Sequence, residues 1–134
     1  MIPKVCLVIL NYNGRDDTVA CLESLEKIIL CGFTFEVVIV DNNSSDNSLS
    51  QIESFLQGSA FFKKNTTKLI KNNINLGYCE GNNQGIRWGL DRGADFFLLL
   101  NNDTLVDKSL VLELLQTVGQ QKTVGIIGPK NFGA

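Results

Sequence analysis

The chain has 134 residues, of which 44% are hydrophobic and 19% charged, and 12 basic against 14 acidic residues give a net charge of −2. This composition is too apolar for a disordered chain, and it lacks the excess of basic residues that is typical of nucleic-acid-binding proteins. No apolar run approaches the roughly 20 residues of a membrane span, and the N-terminus lacks a signal-peptide pattern. Because histidine is absent, acid–base or metal chemistry would depend on carboxylates, amides, hydroxyls or a bound cation.

The first half of the chain alternates predicted strands and helices. An apolar run over residues 5–10 predicts a buried strand that ends at Asn11-Tyr12-Asn13-Gly14. Apolar residues at helical spacing from Val19 to Ile29 then predict a helix that stops near Gly32. Residues 35–40 predict a second strand ending at Asp41, with a capped helix after it. We predict a loop over residues 58–66, with the Phe61–Phe62 pair unexplained.

The second half continues this alternation. Residues 68–71 predict a short strand, and an Asn- and Gly-rich segment over residues 72–85 leads into a helix that ends near Gly93. Residues 96–100 predict a fourth strand that ends at Asn101-Asn102-Asp103-Thr104, and a helix follows over residues 110–118. We predict a fifth strand over residues 124–127.

The alternation predicts a three-layer α/β/α fold with a mainly parallel sheet. In such sheets ligands bind at the carboxyl ends of the strands. The polar clusters of this chain all follow predicted strand ends, so they are expected to meet at one edge and to form a binding site there.

The four cysteines are interpreted as free thiols. No pair has the C-x-x-C spacing of a zinc site. Cys6 lies in an apolar run and Cys21 on a helical face, where cysteine behaves as a small hydrophobic residue. We therefore expect buried thiols and a reducing, cytoplasmic setting.

Each polar cluster allows a chemical and a purely structural interpretation. Tyr12 could lie against a planar base or be a half-buried turn residue. Asp41 could accept the ring N–H of a pyrimidine, or it could form a turn. The glycines from Gly77 to Gly85 could let a diphosphate approach the start of a helix, although their G-x-x-x-G-x-x-x-G spacing matches no standard phosphate loop. Oxygen ligands in Asn101-Asn102-Asp103 could hold a divalent cation or could cap a turn.

Together and in this order, four segments resemble the family 2 glycosyltransferases, the inverting GT-A class, and most of all their rhamnosyltransferase-like members. The segments are Val8 to Gly14, Val40 to Asp46, Asn75 to Gly85 and Leu98 to Thr104. The resemblance implies the GT-A fold, which is a Rossmann-like nucleotide-diphospho-sugar transferase fold.

The resemblance also implies roles for individual residues. Tyr12 and Asp41 would hold the nucleobase, within a nucleotide-sugar site formed by Asn11, Tyr12, Asn13, Asp41, Asn43, Gly77, Gly81, Asn82 and Asn102. Asp103 would take the last position of the D-x-D motif and bind Mg²⁺ or Mn²⁺ through the diphosphate. Asn101 replaces the first Asp of that motif, so we expect weaker binding of the cation.

The implied reaction is inverting transfer of a sugar from a UDP- or dTDP-linked donor to a glycan or lipid-linked acceptor, in cell-surface polysaccharide synthesis. Rhamnose is the expectation for the branch. The full enzyme would be cytoplasmic, or peripheral at the inner face of the membrane. Residues 1–134 are expected to be its N-terminal, nucleotide-sugar-binding part, truncated so that the acceptor-binding part and the catalytic base lie beyond Ala134. We therefore expect the chain to bind the donor without catalysing transfer on its own.

Two other functions are considered. A truncated sheet would expose an apolar flank, so the chain could be a non-catalytic nucleotide-binding module that forms a homo-oligomer. Light scattering separates this alternative from a monomer. A sugar nucleotidyltransferase would need a glycine-rich loop with a basic residue after the first strand, and residues 11–15 contain only one glycine.

Overall fold

The computed structural model describes residues 1–121 and 123–130, and its centre is a parallel sheet of four strands in the order β3-β2-β1-β4. Long runs of apolar residues form the two central strands, which are buried on both faces. In chain order the elements are β1 (Lys4–Asn11), α1 (Arg15–Leu25), β2 (Thr34–Asp41), α2 (Ser48–Gly58), α3 (Ala60–Lys64), β3 (Thr66–Lys71), α4 (Gly77–Asp91), β4 (Phe96–Asn101) and α5 (Leu110–Gln120).

Helices cover both faces of the sheet. On one face, alternate side chains of β1 and β2 such as Leu7 and Ile39 form a core with residues of α1, α2, α3 and α5. On the other face, the intervening side chains, including Val8 and Val38, pack against α4. The prediction of a three-layer fold with a parallel sheet is therefore confirmed.

Helix α4 lies unusually close to β1 because glycines line the helix face that meets the sheet. A Cβ atom would lie 2.4 Å from Leu10 Cδ1 at Gly81, 2.4 Å from Val8 Cγ1 at Gly85 and 2.7 Å from Cys6 Sγ at Gly89. Steps of four residues keep the three glycines on one side of the helix. Gly81 and Gly85, which the sequence places in a segment that could admit a diphosphate, also serve the packing of the helix on the sheet.

One predicted boundary and two predicted elements are wrong. Helix α1 ends at Leu25, and Ile28 reaches the core from the following loop. Residues 60–64 form α3 rather than a loop, because the Ser59 hydroxyl accepts the backbone N–H of Phe62 at 3.2 Å and the Phe62 ring is buried. Residues 124–127 form no strand: this run pairs with neither edge of the described sheet, and Ile126 is 97% exposed.

All four cysteines are free, and Cys6 and Cys21 are buried as predicted, whereas Cys31 and Cys79 are exposed. Among the described residues, no helix has the length and hydropathy that crossing a membrane requires.

Candidate functional site

All four strands end at the same edge of the sheet, as the sequence predicts. Asn11 is paired in register with Asp41, Asp41 with Lys71, and Leu10 with Asn101. This carboxyl edge therefore gathers the loop after β1, the loop after β2, the start of α4 and the turn after β4.

A cavity of about 310 Å³ opens at this edge. Its walls are the ends of β1 and β4, the loop after β2 and the first turns of α4, through Leu10, Tyr12, Asn42, Asn75, Gly77, Tyr78, Asn82, Leu100, Asn101 and Asn102. A second groove, of about 370 Å³, lies between α2, α3 and β3, and none of the predicted site residues lines it. We therefore take the cavity at the strand ends as the candidate site.

The structure divides the predicted site residues into two groups. The cavity is lined by Tyr12, Gly77, Asn82, Asn101 and Asn102. The other predicted residues do not line it, and they are Asn11, Asn13, Asp41, Asn43, Gly81 and Asp103.

Asp41 belongs to the interior of the protein, where it is 2% exposed. Its Oδ1 accepts Asn11 Nδ2 at 2.7 Å and the Ser44 hydroxyl at 2.7 Å, and its Oδ2 accepts the Ser44 backbone N–H at 3.1 Å. The protein itself thus supplies donors to both carboxylate oxygens, and the predicted contact of Asp41 with a nucleobase has no support from this geometry.

Asn42, which sequence reasoning missed, is the residue of this loop that reaches the cavity. Its Oδ1 accepts Asn72 Nδ2 at 3.1 Å and the Leu76 backbone N–H at 3.0 Å. Its Nδ2 donates to Asn75 Oδ1 at 2.8 Å and to the Gly77 carbonyl at 3.1 Å. One buried amide therefore fixes the whole segment that leads into α4.

Two asparagines beside the cavity shape the loops rather than its wall. Asn13 and Asn43 have positive φ values of 51° and 68°, a conformation that asparagine tolerates better than most residues. Asn13 Oδ1 accepts the Ser45 backbone N–H at 2.7 Å, and the Asn13 backbone N–H donates to the Ser44 hydroxyl at 3.0 Å. Asn13 therefore ties the loop after β1 to the loop after β2.

Tyrosines from two different elements border the cavity. Tyr12 follows β1 and is 52% exposed, whereas Tyr78 lies in the first turn of α4 and is 62% exposed. The Tyr78 hydroxyl donates to Asn101 Oδ1 at 3.3 Å, and the Tyr78 carbonyl accepts Asn82 Nδ2 at 2.9 Å. Two exposed aromatic rings and several amides thus surround the same space.

The turn after β4 supplies oxygen atoms of the kind that Mg²⁺ and Mn²⁺ prefer. Asn101 and Asn102 line the cavity, and the exposed Asp103 follows them directly. Across the described parts of the chain there is no cluster of three or more His, Cys, Asp or Glu side chains that could hold a metal. A cation at this turn would therefore need further oxygen ligands from water or from a molecule bound beside it.

The charge of Asp103 also acts on the helix behind the turn. Burial is the main cause that raises the pKa of the Cys21 thiol to about 12, and the negative charge of Asp103 raises it further. Asp103 therefore lies close enough to α1 for its charge to act on a buried residue of that helix.

Known proteins with similar sequences are glycosyltransferases. The chain is 30% identical over 125 residues to the uncharacterized glycosyltransferase YfnE of Bacillus subtilis (strain 168), a match that covers 93% of this chain and 29% of the relative. It is 28% identical over 131 residues to the low-salt glycan biosynthesis hexosyltransferase Agl10 of Haloferax volcanii, covering 97% of this chain and 37% of the relative. The chain thus spans about a third of the length of these relatives.

Solved structures confirm the fold. The mannosyltransferase PcManGT of Pyrobaculum calidifontis, in complex with GDP-Man and Mn²⁺, superposes with a TM-score of 0.77 at 16% identity, over 88% of this chain and 33% of that one. S. aureus TarS 1-349 in complex with UDP-GlcNAc gives a TM-score of 0.73 at 20% identity, over 95% of this chain and 37% of that one. The predicted GT-A fold is therefore confirmed.

A sequence model of one protein family matches nearly the whole chain. Residues 6–131 match the family model "Glycosyl transferase family 2". That segment contains β2, β3, β4, most of β1 and every residue that lines the cavity. The chain belongs to glycosyl transferase family 2.

Proposed function

We propose that this chain binds the nucleoside diphosphate of a sugar donor in the cavity at the carboxyl edge. The observation that carries the proposal is the cavity itself, which is lined by amides and tyrosines from three strand ends and the start of α4, in a chain of this family. A UDP- or dTDP-linked sugar is the donor we favour, with rhamnose as a candidate sugar.

Each part of such a donor finds a complementary surface. The exposed Tyr12 ring offers a flat apolar face to a nucleobase. The first backbone N–H groups of α4 and the positive end of its dipole favour a diphosphate. Gly77, with a φ of +80°, makes the turn that brings this helix start to the cavity.

The turn after β4 fits a divalent cation that also contacts the diphosphate. We assign its protein ligands to Asn101 and Asp103. When bound, such a cation supplies positive charge that stabilises the departing nucleoside diphosphate. Only one of the two ligands is charged, so we expect the cation to bind weakly without nucleotide and more tightly with it.

The full reaction would be an inverting displacement at the anomeric carbon, with a glycan or lipid-linked hydroxyl as the acceptor. A carboxylate base must remove the proton of that hydroxyl. No carboxylate lines the cavity among residues 1–121 and 123–130, so we assign the base to a part of the enzyme outside them. These residues by themselves should bind the donor without transferring the sugar.

Isothermal titration calorimetry tests the proposal. The protein is titrated with UDP, dTDP and GDP, each with and without Mn²⁺; GDP is included because PcManGT was solved with GDP-Man. We expect at least one nucleotide to bind, and to bind more tightly with Mn²⁺. The absence of binding by all three nucleotides in the presence of Mn²⁺ would contradict the proposal.

A matched pair of variants localises the cation. Asp103→Asn removes the carboxylate at the carboxyl edge, whereas Asp91→Asn removes an exposed carboxylate at the opposite end of α4. Loss of one charge-assisted ligand is worth about 1.5–3 kcal/mol, so Asp103→Asn should weaken Mn²⁺-dependent binding at least tenfold. Asp91→Asn should leave it unchanged, and an equal loss in both variants would argue for a long-range charge effect instead.

A further inference from the structure

A line of hydrogen bonds connects the end of β2 with the turn after β4. Asn102 Nδ2 donates to the Thr18 hydroxyl at 2.9 Å, Thr18 donates to Asn11 Oδ1 at 2.7 Å, and Asn11 Nδ2 donates to Asp41 Oδ1 at 2.7 Å. Thr18, Asn11 and Asp41 are 0%, 0% and 2% exposed. The line therefore crosses the interior from β4 to β2 behind the wall of the cavity.

Every donor in this line points the same way, towards Asp41. A carboxylate can only accept hydrogen bonds, so Asp41 Oδ1 requires the NH₂ group of Asn11 to face it. The amide oxygen of Asn11 then faces Thr18, and the Thr18 hydroxyl must donate its hydrogen to that oxygen. Towards Asn102 the Thr18 hydroxyl can therefore act only as an acceptor. The alternation of donors and acceptors that starts at Asp41 therefore fixes the orientation of the Asn102 amide, and mutual polarisation strengthens the hydrogen bonds of the line.

This arrangement turns the side-chain carbonyl oxygen of Asn102 towards the cavity. The amide nitrogen of Asn102 is turned inward, where it also lies 3.5 Å from Asn11 Oδ1. Asn102 Oδ1 is left without a hydrogen-bond partner in the part of the chain that the structure describes, and Asn102 lines the cavity. This corner of the cavity can therefore accept a hydrogen bond or ligate a cation, but it cannot donate to a phosphate oxygen.

The backbone makes room for this arrangement at one position. A Cβ atom on Gly14 would lie 2.3 Å from Asn102 Nδ2 and 3.3 Å from Asn11 Oδ1. Gly14 has a φ of −121°, which an alanine can adopt. The glycine is thus needed for the space that the Asn102 amide occupies rather than for its backbone conformation.

We propose that Asp41, Asn11 and Thr18 are positioning residues that hold Asn102 with its carbonyl oxygen towards the donor, where it accepts an electropositive group of the bound complex. That group is the divalent cation or a hydroxyl or ring N–H of the donor. The inference rests on the proposed function, and it gives Asp41 a role in binding without contact with the nucleobase.

The test combines two changes that disturb the line with two matched controls. Thr18→Val removes the central hydroxyl at nearly constant shape, and Gly14→Ala pushes the Asn102 amide out of place. Thr18→Ser keeps the hydroxyl, and Gly58→Ala adds a methyl group where nothing lies within 4 Å. The readouts are the Kd of Mn²⁺ alone and of UDP, dTDP and GDP with Mn²⁺, together with the side-chain NH₂ resonances of Asn102 in the ligand-free protein.

We expect Thr18→Val and Gly14→Ala to weaken Mn²⁺–nucleotide binding by about 3- to 10-fold, the worth of one hydrogen bond, and both controls to stay within about twofold of the wild type. In an Asn102→Ala background, Thr18→Val should cause no further loss, because its effect passes through Asn102. Weaker binding of Mn²⁺ alone would identify the cation as the accepted group. A loss seen only with nucleotide would identify the donor.

Two results would overturn the inference: an equal loss from Thr18→Val with and without Asn102, or Asn102 amide resonances that do not move in either disturbing variant. If Thr18→Val does not fold, Gly14→Ala gives the same comparison. Failure of the wild type to bind any nucleotide would refute the proposed function, whereas the ligand-free resonances would still test the line of hydrogen bonds.

Discussion

The two ends of the sheet handle polar groups in opposite ways. At the amino edge, Glu36 is 5% exposed, and its carboxylate accepts hydrogen bonds from Arg92 Nε and Arg92 Nη2, both at 3.0 Å. Lys4 Nζ lies 3.6 Å from the same carboxylate, and the Lys4 backbone N–H donates to Asp95 at 2.8 Å. At the carboxyl edge, neutral amides and tyrosines line the cavity, the buried Asp41 carboxylate accepts hydrogen bonds from the neutral groups of Asn11 and Ser44, and the Asp103 carboxylate is exposed.

The difference gives a physical reason for placing the proposed binding site at the carboxyl edge. Opposite charges that pair with each other leave little capacity for a third partner, so the amino edge is closed by its own ion pairs. An amide has a donor half and an acceptor half, and the protein can engage one half while the other remains available. Asn102 is the clearest case, with its nitrogen bound inside and its oxygen at the cavity.

Truncation of the buried Asn42 side chain at the carboxyl edge should have the largest effect on stability and on nucleotide binding. Asn42→Ala removes four hydrogen bonds and leaves the Leu76 N–H and the Gly77 carbonyl without their partner. We expect a loss of about 3 kcal/mol in the free energy of unfolding, or roughly 10 °C in Tm, together with weaker nucleotide binding. Thermal unfolding and calorimetry measure the two effects, and unchanged nucleotide affinity would show that the segment before α4 is not part of the site.

The same kind of truncation at the amino edge should affect stability alone. Glu36→Ala removes the carboxylate that pairs with Arg92 and Lys4. Because the Arg92 side chain is 41% exposed and can be hydrated after the change, we expect a smaller drop of roughly 5 °C in Tm. Nucleotide affinity measured well below the transition should equal that of the wild type; a loss would mean that the two ends are coupled through α4.

The buried thiols provide the smallest and most local comparison, since one lies near each edge. Burial raises the pKa of Cys6 to about 11, where Glu36 and Arg92 have opposing effects, and burial with Asp103 raises the pKa of Cys21 to about 12. A raised pKa means that the unfolded chain loses the proton first. The contribution of the Cys21 thiol to the free energy of unfolding is therefore complete below the ordinary thiol pKa of 9.0, and it declines as the pH rises towards 12.

Urea unfolding between pH 8 and pH 10.5 measures this decline. Each thiol should contribute a slope of up to about 1.4 kcal/mol per pH unit above pH 9. The advantage of the wild type over Cys21→Ala should shrink along that range, whereas the exposed Cys31→Ala should parallel the wild type. A constant difference between the wild type and Cys21→Ala would show that the thiol is more accessible to solvent than the structure indicates.

The sequence predicts the sheet well because its strands carry strong local signals. The continuous apolar runs of β1 and β2 mark strands covered on both faces, and the apolar run of β4 marks a strand at the side of the sheet. The polar ends of these strands place the site at one edge. The short helix α3 has no such period, since five residues make little more than one turn. The apolar run at 124–127 has the composition of a strand, but composition cannot show whether a neighbouring strand is there to pair with it.

The candidate site is predictable as a place, but not in the roles of its residues. Asp41, Asn42 and Asn43 are consecutive turn-forming residues, and the sequence does not show which of them faces the cavity. The structure buries Asp41 and Asn42 and exposes Asn43, and only Asn42 reaches the cavity. Thr18 was not predicted at all, because a threonine inside a helix carries no sign that its hydroxyl connects two loops.

The glycine face of α4 has a consequence for how related chains can diverge. Gly81, Gly85 and Gly89 lie over Leu10, Val8 and Cys6, so each contact joins a residue without a side chain to one whose size is limited in turn. An exchange on either partner alone would lift the helix from the strand and move the end that borders the cavity. We therefore expect these positions to change in pairs during evolution, with a larger helix residue accompanied by a smaller strand residue.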